Sequence, residues 1–335
     1  MHKEENYKKL FSEFNHLNIL IIGDVMIDSY LWGKVDRISP EAPIPIVALK
    51  NRENRMGGAA NVARNIKAMG ANPILCAVIG NDGMGDVFCK LLEEEKITTR
   101  GLVRSNNRIT TTKFRIFGNN TQMLRVDEEV ESDLSEHDHL GLMTSIEKIL
   151  NEEKVDCIIL QDYNKGVLMP AVITTVVQMA RLKKIPVTVD PKKKNFDYYK
   201  HVTLFKPNLK ELKEGLKTDF ESSNREMLMT ACHQLLEHLQ TRFILTTLSE
   251  NGIMIGYQEG IDQRNIFIPA HLRTISDVSG AGDTVISVAS LCLAMGCSPY
   301  EIAYISNLAG GLVCEEVGVV PVNKEKLLKE VVTLL

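Results

Sequence analysis

The stretch Asp277-Val278-Ser279-Gly280-Ala281-Gly282-Asp283-Thr284 puts two glycines and a carboxylate at the head of an apolar segment. Small residues let the backbone come close to a ligand, and the first turn of a helix leaves unpaired N–H groups beside the positive end of its dipole. An anion can bind there, and a carboxylate in the same turn can take a proton from a hydroxyl. The helix is predicted from residues 285–295, small and apolar nearly all round, with Gly296 as the stop. Taken alone, the motif fits closely packed glycines and an ordinary first-turn acid equally well, since short glycine patterns often arise by chance.

Other groups could serve the same chemistry. Gly23-Asp24-Val25-Met26-Ile27-Asp28 offers two carboxylates for sugar hydroxyls, although Asp24 could equally cap a turn. Met56-Gly57-Gly58-Ala59-Ala60-Asn61 opens a helix with a glycine pair and sets Asn61 one turn in, as a polar cradle or as mere packing. In Lys206-Pro207-Asn208-Leu209-Lys210-Glu211, Asn208 and Glu211 share a helical face and could hold a hydrated Mg²⁺ against triphosphate charge. A plain N-cap with its capping-box acid fits that segment equally well. The run Lys192-Lys193-Lys194 reads as a solvated loop, yet its place after Asp190-Pro191 lets Lys192 reach a nucleotide's phosphates. Neither G-x-G-x-x-G after the first strand nor G-x-x-x-x-G-K-[ST] occurs, which argues against a dinucleotide dehydrogenase and an ordinary P-loop.

These residues need a frame. Short apolar runs at 19–22, 74–79, 157–160, 187–189, 202–205 and 243–245 read as buried parallel strands, and helical segments at 59–69, 85–96, 139–152, 171–183 and 225–239 lie between them. The alternation predicts an α/β fold, a mostly parallel sheet with helices on both faces. Ligands in such folds sit beyond the carboxyl ends of the strands. The residues there include Gly23-Asp24, Gln161-Asp162-Tyr163, Asp190-Pro191-Lys192, Lys206-Pro207-Asn208 and Thr246-Thr247. Residues 29–51 and 110–127 break the rhythm and read as hairpins, the second turning at Gly118-Asn119-Asn120. Together they could form a small sheet outside the main layer, covering a substrate or binding a second copy.

The chain's 335 residues, 44% hydrophobic and 24% charged, can bury a substantial core. A net charge of −4 and a pI near 6.1 argue against a general nucleic-acid or membrane-surface role. No run approaches a membrane span, and residues 1–17 are too polar for a signal peptide, so a cytoplasmic location is expected. The seven cysteines are scattered without a C-x-x-C pair and read as reduced core thiols.

Taken in order, Gly57-Gly58-Ala59-Ala60-Asn61, Asn208-x-x-Glu211 and Gly280-Ala281-Gly282-Asp283 resemble the ribokinase-like (PfkB) sugar kinases. The resemblance runs from Asn18 to about Val322. It implies a ribokinase-like three-layer fold with a β lid from about 29–51 and 110–127, a kinase domain at 18–335 and an N-terminal extension at 1–17. A narrower likeness rests on residues 23–30, on Arg37-Ile38-Ser39-Pro40-Glu41-Ala42-Pro43-Ile44-Pro45 and on Asp162-Tyr163-Asn164-Lys165-Gly166. These resemble kinases that phosphorylate C1 of D-glycero-D-manno-heptose 7-phosphate.

That resemblance implies Asp283 as general base, with the N–H groups of Gly280, Ala281 and Gly282 receiving charge. Asp24, Asp28, Gly57, Gly58, Asn61 and Asp162 would bind the sugar, and Arg37, Arg115, Arg125 and Lys165 are candidates for its phosphate, each equally a surface ion pair. ATP would use Lys192, Asn208, Glu211, Thr247, Ser249, Gly252 and Asn307, with Mg²⁺ held through water by Asn208 and Glu211. Carbonyls of Asp277 and Ser279 could take a monovalent cation. A homodimer through the lid is expected, as is a separate nucleotidyltransferase, since the chain stops directly after the kinase. The rivals are a PfkB-type kinase of another sugar or nucleoside, and a sugar-phosphate sensor without turnover. The intact Asp283 and its glycines speak against the sensor.

Overall fold

The structure is a computed structural model that describes residues 2–221 and 224–335. Its strands are β1 (Asn18–Gly23), β2 (Val25–Ile38), β3 (Pro45–Gly58), β4 (Asn72–Gly80), β5 (Leu102–Ser105), β6 (Thr112–Gly118), β7 (Thr121–Glu128), β8 (Cys157–Gln161), β9 (Val187–Asp190), β10 (Leu204–Phe205), β11 (Phe243–Thr247), β12 (Ile253–Glu259) and β13 (Asp262–Ile268). The helices are α1 (His2–Glu13), α2 (Ala59–Ala68), α3 (Gly83–Glu94), α4 (Glu136–Glu152), α5 (Pro170–Lys183), α6 (Leu209–Leu216), α7 (Arg225–Leu239), α8 (Ala281–Ala294), α9 (Pro299–Val313) and α10 (Lys324–Leu334).

The main sheet runs β13-β12-β11-β10-β9-β8-β1-β4-β5, parallel except that β12 runs antiparallel between β11 and β13. Strand side chains alternate between its faces. Ile19 and Ile21 of β1 join a core with Val62 of α2, Ile286 of α8 and Ile305 of α9. Leu20 and Ile22 join the opposite core with Ile146 of α4, Val176 of α5 and Leu235 of α7. Two dry cores, one on each side, therefore require the continuous apolar runs seen in the sequence. The order of strands reverses at β1, which has β4 on one side and β8 on the other, so a crevice opens beyond the ends of β1 and β8.

The second sheet, β3-β2-β6-β7, unites the two hairpins through a parallel pairing of β2 with β6. Asn119 and Asn120, both with positive φ, make the tight turn between β6 and β7. The strands extend past the expected lid bounds, because β2 starts at Val25 and β3 continues to Gly58, straight into α2. The lid is thereby tied to both glycines of the pair.

Within the segment expected as an N-terminal extension, residues of α1 and the turn after it pack against the rest of the chain. Phe11 and Phe14 are buried, Tyr7 hydroxyl donates to Glu301 at 3.4 Å, and Lys324 donates to Asn15 at 2.9 Å. The strand expected at 202–205 shortens to Leu204–Phe205, and β5, β12 and β13 are additions to the sheet. Among the described residues the cysteines are all free thiols, with Cys76, Cys157, Cys232, Cys292 and Cys314 buried. No described helix is long and apolar enough to cross a membrane.

Candidate active site

Asp283 lies in the first turn of α8, whose N-cap Gly280 has φ of 80°. Its carboxylate is 5% exposed and is reached from three directions. Asn61 Nδ2 of α2 donates to Oδ2 at 2.7 Å, while Tyr163 hydroxyl and Gln161 Nε2 donate to Oδ1 at 2.8 and 3.1 Å. Burial pushes its pKa up to about 6, against the pull of the Asn61 hydrogen bond. A carboxylate in that state is charged near neutral pH and is a stronger base than an exposed one.

Behind it, Lys206 and Asp190 form a buried ion pair at 3.1 Å, and Gln161 Nε2 also donates to Asp190 at 3.2 Å. A Cβ on Gly282 would come within 3.7 Å of Lys206 Nζ and 3.8 Å of Asp190 Oδ2. The helix tip thus faces a buried cation, with its own N–H groups alongside. Among these, the N–H of Ala281 makes a long 3.3 Å bond to the Val278 carbonyl, so it is less free for a ligand than expected. The carboxylate of Asp277 accepts from the N–H of Ser279 at 2.9 Å and of Gly318 at 3.0 Å, which fixes the approach to the helix.

Asp24 and Asp162, expected to bind the sugar, are both 1% exposed, and both are engaged within the protein. Asp24 accepts from the backbone N–H groups of Tyr163, Lys165 and Val167 at 2.8, 3.1 and 3.0 Å. Asp162 accepts from Tyr199 hydroxyl at 2.7 Å and from the N–H of Asn164 at 2.8 Å. They organise the loop after β8, and that loop delivers Tyr163 to Asp283. Burial, then the neighbouring Asp24, pushes Asp162 up to about 6. Lys165 is likewise committed, pairing with Glu129 and Glu131 at 2.8 Å each.

Gly57 and Gly58 carry the lid into α2, and Gly58, at φ of 62°, has the Asp24 carbonyl where a Cβ would sit. Asp28, buried next to Gly57, is ion-paired with Arg115. Arg55 and Arg115 stand 4.9 and 5.4 Å from the centre of the Tyr30 ring. Arg55 also covers Gly318, which sets this face of the lid against the loop after α9, itself tied to the approach to α8 by the Gly318 N–H that Asp277 accepts. Arg125 pairs with Asp127 at 2.7 Å in an exposed position, and Arg37 is exposed near the end of β2.

On the other side of the crevice, Asn208 caps α6 in a reciprocal capping box with Glu211. Lys192 is ion-paired with Glu211, and its Nζ lies 5.7 Å from the centre of the Tyr163 ring. Asn208 bridges to Thr247 at the end of β11, so Ser249 and Gly252 follow on the same rim, both with positive φ. Asn307 of α9 donates to the Pro269 carbonyl at 2.9 Å. No described group of three or more His, Cys, Asp or Glu side chains could cage a metal ion. Glu211 offers one carboxylate, which fits an ion that keeps its waters and leans on substrate phosphates.

Sequence reasoning gave no role to Gln161, Tyr163, Asp190, Lys206 or Arg55. The first four stood among the strand-end residues, so their location was signalled although their convergence was not.

A buried carboxylate in the first turn of α8 and a lysine paired with a capped carboxylate thus meet at the strand ends of a parallel sheet covered on both faces. The chain belongs to the pfkB family of carbohydrate kinases, whose description fits residues 16–326. It is 40% identical over 313 residues to the bifunctional protein HldE of Koribacter versatilis, covering 93% of this chain and 62% of that protein. With the bifunctional protein HldE of Citrifermentans bemidjiense it shares 36% over 324 residues, covering 97% and 65%. The chain therefore spans somewhat under two thirds of the length of these relatives. Phosphofructokinase-2 from Escherichia coli, in complex with substrates and products, superposes with a TM-score of 0.76 at 17% identity over 95% of this chain and 99% of that one. The last likeness establishes the ribokinase-like fold.

Proposed function

We propose that the chain transfers the γ-phosphoryl group of ATP to the C1 hydroxyl of D-glycero-D-manno-heptose 7-phosphate, giving the 1,7-bisphosphate. The observation that carries phosphoryl transfer is the buried Asp283 carboxylate in the first turn of α8, with backbone N–H groups beside it and Lys206 behind. Asp283 takes the proton from the sugar hydroxyl as its oxygen attacks phosphorus, and the N–H groups of Gly280 and Gly282 meet the charge on the transferring group. An anomeric hydroxyl is more acidic than a plain alcohol, so a carboxylate suffices as base.

On the sugar side the reading uses Asn61, Gly57, Gly58 and Asp28. Arg115, joined by Arg55, is best placed for the distal phosphate, because guanidinium groups suit phosphate geometry. On the nucleotide side it uses Lys192, Asn208, Glu211, Thr247, Ser249, Gly252 and Asn307. Mg²⁺, held through water beside Glu211, would neutralise triphosphate charge. The sugar's identity is supported by residues 37–45 and 162–166 and by the HldE relatives. The lid is assigned to a homodimer interface.

ADP release measured across a panel of sugars and sugar phosphates tests this. The heptose 7-phosphate should be the best acceptor, and equal or better turnover of unphosphorylated hexoses would sink the assignment. Asp283→Asn should abolish turnover while sugar binding, followed by calorimetry, largely persists.

A further inference from the structure

Asp283 has more hydrogen-bond donors than a free general base would carry. A carboxylate has about four lone-pair positions, two on each oxygen. Tyr163 hydroxyl and Gln161 Nε2 fill Oδ1 at 2.8 and 3.1 Å, whereas Oδ2 receives Asn61 Nδ2 alone at 2.7 Å. One position on Oδ2 is left for an incoming hydroxyl. Asn61 and Gln161 sit on a helix and a strand end, but Tyr163 belongs to the loop that the buried Asp24 holds in place through three backbone N–H groups. Its ring also lies under Lys192, 5.7 Å from Nζ, and Lys192 is paired with Glu211.

We propose that Tyr163 is a positioning residue for phosphoryl transfer: its hydroxyl anchors Oδ1 of Asp283, aims the remaining lone pair of Oδ2 at the acceptor hydroxyl, and favours the ionised carboxylate. This rests on Asp283 being the base. The groups facing Asp283 are Asn61 from α2, Gln161 and Tyr163 from the end of β8, Asp190 from β9 and Lys206 after β10. Asp190 raises its proton affinity, while Asn61, Tyr163 and Lys206 lower it. The cation over the ring draws electrons from the phenol and strengthens its O–H as a donor.

The test is the pH dependence of kcat with ATP and the best acceptor of the panel. In the native enzyme the acidic limb should fall near Asp283's value of about 6. In Tyr163→Phe the limb should move up by about one pKa unit, a roughly tenfold change in proton affinity from the loss of one charge-assisted donor. Replacing Tyr163 with 3-fluorotyrosine, a more acidic phenol of nearly the same shape, should move the limb the opposite way. A residue that merely packed would shift neither limb. Unchanged limbs in both variants, with Asp283→Asn inactive, would overturn the role of Tyr163 alone. Wild-type-like turnover by Asp283→Asn would instead overturn the base and this role with it.

Discussion

At Asp283 the carboxylate that has to be ionised to accept a proton sits out of water, and burial lifts its pKa from 3.8 to about 6. Asp162 is lifted to about 6 by burial and by Asp24. For both, the folded chain holds the proton more tightly than the unfolded chain does. The stabilisation from that proton is complete below 3.8 and is lost as pH climbs through about 6, so at neutral pH the ionised carboxylate weighs against the fold. Asp283→Asn, neutral at every pH, should therefore gain on the wild type between pH 4 and 6.5 and stay ahead above that. The gain should be on the order of 3 kcal/mol. Urea unfolding of both proteins at a series of pH values checks it, and a difference independent of pH would refute it. The place of Asp283 in the first turn of an apolar helix was legible from seven neighbouring residues, because a helix tip is a local structure. The fate of Asp24 was not. Its three donors come from a loop about 140 residues away, and only the folded sheet brings β1 beside β8.

Among the elements, α6 has the most to lose at its first residue. Asn208 and Glu211 satisfy each other's backbone N–H groups, and Glu211 holds Lys192. Asn208→Ala removes the cap, which should lower stability by about 1 kcal/mol. It also frees Glu211 and Lys192 from a fixed geometry, so KM for ATP should rise several-fold while KM for the sugar barely moves. Steady-state kinetics in both substrates will show whether the nucleotide side alone is affected. The N-x-x-E pattern was readable as a cap, as a metal ligand or as both, and the structure shows the cap. The lid hairpins were legible from β-type residues around a Gly-Asn-Asn turn. Their union into one small sheet was legible too, but the parallel pairing of β2 with β6 that joins them was not, since it spans sequence that includes α2, α3, β4 and β5. The β12–β13 hairpin escaped notice because its second strand is polar over Asp262 to Asn265.

For the whole molecule, the lid's alternation sorts its residues into two faces. Asp28, Tyr30, Arg115 and Arg55 share the face turned to the crevice, whereas Phe114, Ile116, Leu124 and Val126 share the other. Leu124 and Val126 are 55% and 42% exposed, an apolar surface that a second copy of the chain would cover. Leu124→Asp with Val126→Asp should convert a sedimenting dimer to a monomer, and a native chain that sediments as a monomer at micromolar concentration would refute the interface.

The distribution of thiols gives the molecule a built-in gauge of its own breathing. Cys89 and Cys297 are partly accessible, while five thiols lie buried, with Cys76, Cys157 and Cys232 pushed up to about 12 by burial. A thiol at that value is almost never a thiolate and hardly reacts. An alkylating reagent thus meets two sulfurs on the native chain and the other five only as the layers part, on both sides of the sheet. The order in which those five become labelled would time the opening of each core separately, without any introduced probe.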